Sequence, residues 1–255
     1  MTIYKSFLAV LFPILIVVIA VVSAQPEIEG ATKVAARSGD SAAQYELARL
    51  YFEGDVLPRD LDKAVYWVTK AADQGEPNAQ NVLGILHLRG EGVPQDDAKG
   101  LALIRASAEQ DHAPAQAFMA YIYGKGIGVP QDGVRFLKWV QKAAANGDPA
   151  SQFNVAILYL TGNMLDKDVG KARSLLLQSA DQGFVEAQVT LGEVYVQGFD
   201  EEPNLVAACK WFAIAGTQGH PKANVYLVQI TKMMTSEQLD QAADQANNWL
   251  DTHDR

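Results

Sequence analysis

Residues 115–147 read AQAFMAYIYGKGIGVPQDGVRFLKWVQKAAANG, and this stretch decides the fold. Gln116, Met119, Ala120 and Tyr123 follow the i, i+3, i+4, i+7 spacing of one helix face. Gly126 then supplies the left-handed conformation that ends a helix. A loop through Pro130 delivers Asp132, a residue type that caps the start of a second helix. That helix carries Trp139 and Ala143-Ala144 to a stop at Gly147. The reading is a helical hairpin with an apolar flank that needs a neighbour.

Stepping outward by 36 residues finds the neighbours. One column reads Gln44, Gln80, Gln116, Gln152, Gln188 and Asn224. The next reads Leu47, Leu83, Met119, Val155, Leu191 and Leu227, followed by the small column Ala48, Gly84, Ala120, Ala156, Gly192 and, breaking it, Val228. Tyr51, His87, Tyr123, Tyr159, Tyr195 and Thr231 complete the face. Six repeats without insertion or deletion identify a tandem array. Asp60, Asp96, Asp132, Asp168 and Asn204 are helix caps worth about 1 kcal/mol each, which accounts for this acidic series without an active site. The second helices end at Gly75, Gly147, Gly183 and Gly219, with Asp111 as the substitute. A side chain present in every repeat serves the architecture, so the glutamine amides are expected to satisfy backbone groups at the hairpin junctions.

The composite Ala-Gln-x-x-Leu-Gly-x-x-Tyr, Gly-x-Gly-Val-Pro-x-Asp, Lys-Ala-x-x-Trp and Ala-Ala-x-x-Gly resembles the Sel-one-like repeat family. Its signature stands at Ala79-Gln80, Leu83-Gly84, Gly90-Glu91-Gly92-Val93-Pro94 and Asp96, and again at Gly126 to Asp132. The resemblance covers about residues 39–234. It implies an all-α solenoid, a right-handed superhelix of about six 36-residue helix-turn-helix repeats related to tetratricopeptide repeats. Departures are His87 for tyrosine, Asn163-Met164-Leu165 for the Gly-Val-Pro loop, and a sixth repeat without its loop. The expected organisation is a leader at 1–24, a half-repeat cap at 25–40, the array at 41–234, and a capping helix at 235–255. Leu239, Ala242, Ala243, Ala246 and Leu250 are expected on the inner face of that last helix.

Phe7 to Val22 is an unbroken apolar run, and Val22-Ser23-Ala24 fits signal-peptidase cleavage after Ala24. The alternative is an uncleaved membrane anchor, since the run is nearly long enough to span. Either reading puts the repeats outside the cytoplasm, in a periplasm or secreted. A net charge of −9 argues against nucleic-acid and anionic-membrane partners. With Cys209 as its sole cysteine, the chain has no intrachain disulfide and no cysteine-based zinc site; Cys209 reads as a helix-core residue.

Function is expected on the first helices, which line the concave side in related repeats. The positions after each glutamine give Tyr45, Arg49, Phe52, Asn81, Ile85, Leu88, Arg89, Tyr121, Phe153, Ile157, Leu160, Val189, Glu193 and Val196, then Val225, Gln229 and Lys232. Two readings of this stripe stand: a groove for a peptide or protein partner, or core buried between neighbouring first helices. His87, His112, His220 and His253 have no metal-ligand spacing, and no phosphate loop or nucleophile elbow occurs. The chain is therefore expected to be a non-enzymatic scaffold or adaptor with no cofactor. The resemblance implies signalling or envelope-assembly settings. A membrane-anchored assembly factor is the alternative. A β-lactamase-like hydrolase is disfavoured because such relatives carry disulfides within each repeat.

Overall fold

The computed structural model describes residues 30–199 and 202–253; the leader expected at 1–24 lies outside them. The chain divides between Gln110 and Asp111 into two compact units. The first contains α1 (30–38), α2 (Ser41–Glu53), α3 (Leu61–Asp73), α4 (Pro77–Arg89) and α5 (Asp97–Glu109). The second contains α6 (Ala113–Lys125), α7 (Gly133–Ala145), α8 (Pro149–Thr161), α9 (Val169–Asp181), α10 (Val185–Gln197) and α11 (Leu205–Thr217). It ends with α12 (Pro221–Ile230), a 3-10 turn at Thr231–Met233, and α13 (Ser236–His253). Among the described residues there is no strand. Within each unit a first helix pairs with the second helix of its hairpin, and each second helix packs on the next first helix. This is the all-α solenoid arrangement.

The boundaries follow the sequence signals. Gly54, Gly90, Gly126 and Gly162 end their helices in the left-handed region. Asp60, Asp96, Asp132, Asp168 and Asn204 each accept the backbone N–H three residues on, capping the second helices. Each cap's own N–H donates to the carbonyl nine residues back, as from Asp132 to Tyr123 at 2.9 Å, closing the loop. Asp111 takes φ 60 where the other repeats use glycine. His87, in the tyrosine column, sets Nδ1 3.1 Å from the Pro94 carbonyl oxygen.

Size matching across the hairpin explains the small column. A Cβ on Gly192 would sit 2.5 Å from the Phe212 ring, and one on Gly84 would sit 2.6 Å from Ile104. The same columns elsewhere pair Ala48 with Val68, Ala120 with Val140 and Ala156 with Leu176. Glycine stands opposite Ile and Phe; alanine suffices opposite Val and Leu. The core is close-packed, so one methyl group decides the fit.

The glutamines join adjacent hairpins, as their recurrence implies. Gln44, Gln152 and Gln188 donate to the carbonyls of Ala36, Ala144 and Ala180, in the last turn of the preceding second helix. Each also accepts from an amide 30 residues on, in a second polar column. Gln74, Gln110, Asn146, Gln182 and Gln218 donate to Gln44, Gln80, Gln116, Gln152 and Gln188 at 2.7–2.9 Å. These amides satisfy groups that burial would otherwise leave unpaired.

The final helix corrects one expectation. Ala242 and Ala246 are buried, but Ala243 is exposed. Trp249 instead anchors the helix, with its ring 6.0 Å from Trp211 and its indole N–H donating to Asp181. Leu250 packs on the same core cluster, so Trp249 joins the expected face and Ala243 leaves it.

Candidate interaction face

The first-helix positions divide by what their columns meet. Phe52, Leu88, Leu160 and Val196 share a column that leans on the second helix of the same hairpin. Leu88 lies against Gly100, where an added Cβ would be 2.9 Å from it. Phe52 and Leu160 pack on the cores around Val68 and Leu176 and are half-buried. In the third repeat the sizes exchange: Gly124 faces Phe136, whose ring would lie only 3.1 Å from an added Cβ.

In the first unit, Tyr45 and Ile85 are half-buried, and burial pushes the Tyr45 phenol up from its usual range. Arg49 is exposed but engaged by Glu46 and Glu53 at 2.9 and 2.6 Å, while Arg89 is exposed. Asn81 is buried, at 9% exposure, among the neighbouring helices. The position immediately after the glutamine faces inward there, so Asn81 is core and not a groove residue.

In the second unit, Val189 likewise takes the core alternative. It is 5% exposed and packs in the cluster of Phe212 and Ile230, because α11 and α12 close over it. Phe153 is half-buried with its ring 5.4 Å from Phe184, and Ile157 is half-buried. Tyr121 is 51% exposed and borders a cavity of about 360 Å³ with Gly124, Lys125, Phe136 and Met164. The glycine and the altered fourth-repeat loop leave that space.

Glu193 and Val196 are brought together at a second cavity of about 360 Å³, with Phe212 and with Tyr226, Gln229, Ile230 and Met233 from the α12 segment. Glu193 hydrogen-bonds the Tyr226 hydroxyl, and this bond and the carboxylate charge push the phenol up. Val196 and Met233 also line an adjoining cavity of about 610 Å³ with Pro203, Leu205 and Val206. The column reading reached Glu193, Val196 and Gln229 but missed Tyr226, Ile230 and Met233. Their signal was the loss of the sixth loop, which replaces a capped helix end with a 3-10 turn.

A fourth cavity, of about 540 Å³, lies on the turn side between Asp181, Gln218, Trp249 and His253. Its walls are amide-ladder and helix-anchoring residues. Burial lowers the nearby Lys210 ammonium pKa, opposed by the charge of Asp181. Cys209 is buried, and burial pushes its thiol up, the opposite of nucleophile activation. Among the described residues no group of three His, Cys, Asp or Glu side chains is placed to hold a metal.

The family model described as Sel1 repeat matches five consecutive segments, 41–76, 77–112, 113–148, 149–184 and 185–220. The structure is similar to that of a Sel1 repeat protein from Oxalobacter formigenes, with TM-score 0.67 and 29% identity over 85% of this chain and 88% of the other. It is also similar to c5321, a protective antigen of uropathogenic Escherichia coli with an SLR fold, with TM-score 0.58 and 27% identity. That match covers 88% of this chain but 56% of c5321. Sel1-like repeat-containing protein L18 of Acanthamoeba polyphaga mimivirus is 46% identical over 41 residues, 16% of this chain. This chain spans 7% of that relative's length.

Proposed function

Because this chain belongs to the Sel1 repeat family, we propose that it is a non-catalytic interaction scaffold that binds a protein or peptide segment on the first-helix face of its second unit. Sel1 repeats generally mediate protein–protein interaction. The observation that carries the reading is the apolar surface left open at α10 and α12. Val196 and Met233, 37 and 67% exposed, line a cavity with Phe212 and Ile230, and Val225 and Val228, 55 and 59% exposed, add apolar surface elsewhere on α12. Apolar side chains grouped around a concavity mark interaction sites.

We place this scaffold outside the cytoplasm, in a periplasm or secreted, with signalling or envelope assembly as its setting. The apolar run at Phe7–Val22 and the Val22-Ser23-Ala24 motif support this. N-terminal sequencing of the purified protein tests it: a chain starting at Gln25 supports export with cleavage, and an intact start favours the membrane-anchored assembly factor.

Site-specific photo-crosslinking in intact cells tests the binding face. A crosslinker at Val196 should give one discrete adduct, absent when it is placed at the exposed Tyr66 of α3. Equal adducts at both positions, or none at Val196, would overturn the reading.

A further inference from the structure

We infer that the cleft between α10 and α12 receives an extended partner segment presenting an apolar side chain beside an arginine or lysine. This inference rests on the scaffold reading and adds the partner's chemistry. Of the two cavities in this cleft, the first, lined by Glu193 and about 360 Å³, lies at the small end of the ~300–1,000 Å³ range of ligand pockets, which suits side chains and not a folded domain. Val196 and Met233 form a shared wall with the second cavity, so the two make an elongated depression. An extended segment fits that shape better than a compact molecule.

Charge selects the segment. Glu193 is the charged residue lining the first cavity, and Glu202 the charged residue lining the second. Lys232 is exposed on the same segment but lines neither cavity. Glu193 is half-buried beside Phe212 and Ile230, where a carboxylate attracts a cation more strongly than it does in water. Tyr226 engages this carboxylate with one hydroxyl, and a carboxylate has about four acceptor directions, so acceptor capacity remains. An acidic segment would meet repulsion from Glu193 and Glu202. Gln197 and Gln229 at the rim carry amides suited to the main chain of an extended peptide.

The test titrates the full chain with four fluorescent peptides of equal length on a serine background, bearing Leu with Arg, Leu with Glu, Leu alone, or Arg alone. The Leu–Arg peptide should bind, and the other three should bind more weakly by about tenfold or more, the scale of one charge-assisted contact or one buried side chain. Glu193→Gln should weaken the Leu–Arg peptide by about tenfold, and Glu193→Lys should shift preference to Leu–Glu. Unchanged helical signal and melting temperature establish that each variant is folded. If the Leu-only or Leu–Glu peptide binds as well as Leu–Arg, and Val196→Ser with Met233→Ser abolishes that binding, the scaffold reading stands and the charge inference falls. If no peptide binds and Val196 gives no crosslink in cells, both fall.

Discussion

Gln182 donates from Nε2 to the side-chain oxygen of Gln152 at 2.9 Å, tying the end of one hairpin to the first helix of the same repeat, 30 residues earlier. Gln152 passes the link backward, donating to the Ala144 carbonyl at the end of the preceding second helix. The amide pair is thus a hinge pin between successive hairpins, and it recurs with the repeat.

Gln152→Leu keeps the bulk and removes the polar links, leaving the Ala144 carbonyl and the Gln182 amide without this partner. The variant should lose about 1–3 kcal/mol. Urea unfolding monitored by circular dichroism measures it. Gln182→Ala should lose less, because position 182 is exposed and water can replace the bond.

Gly192→Ala should destabilise despite alanine's better helix propensity, because the new methyl group meets the Phe212 ring at 2.5 Å. Overpacking of this kind costs about 1–3 kcal/mol. Phe212→Leu alone should also destabilise. In the double variant the two losses should be less than additive, restoring the alanine–leucine pairing present at Ala156 and Leu176. Simple additivity in a thermal-melt cycle would contradict the size-matching account.

Cys209 is buried and its thiol pKa is raised by burial. Labelling by a disulfide reagent should therefore be slow in the native chain and accelerate with denaturant, tracking the opening of α11. Fast labelling without denaturant would show that α11 is not packed as described.

Asp60 and Asp168 sit at helix starts on the surface, and both carboxyls are held below the ordinary aspartate range. For Asp60 the leading cause is the Lys63 side chain; for Asp168 it is the backbone N–H of Lys171. A depressed folded-state pKa contributes stability above the unfolded value and loses it as pH falls through the folded one. The acid limb, below about pH 4, should flatten in the Asp60→Asn, Asp168→Asn double variant, which keeps a capping oxygen but cannot titrate. An unchanged acid limb would remove these groups from the account.

The fold was legible because its signals are local and repeat: glycine stops, aspartate caps and the helix-face spacing recur at one period. The amide partners Gln74, Gln110, Asn146, Gln182 and Gln218 share that period, yet they read as ordinary polar turn residues until the structure set each against a glutamine. The interaction face was less legible. Columns assign a side chain to a face, but burial depends on what the adjacent helix brings. Asn81 and Val189 are covered, whereas Tyr121 is open beside Gly124. The cleft at Glu193 arises where periodicity fails, at the loopless sixth repeat, and Met233 belongs to a 3-10 turn that no repeat column describes.

Hydrogen–deuterium exchange on the full chain, with and without the polypeptide crosslinked through Val196, tests partner binding most directly. The account predicts slower exchange in the C-terminal turns of α10 and through α12 to Met233, with the exposed faces of α7 and α9 unchanged. Protection confined to the second helices, with α10 and α12 exchanging as in the free chain, would contradict it.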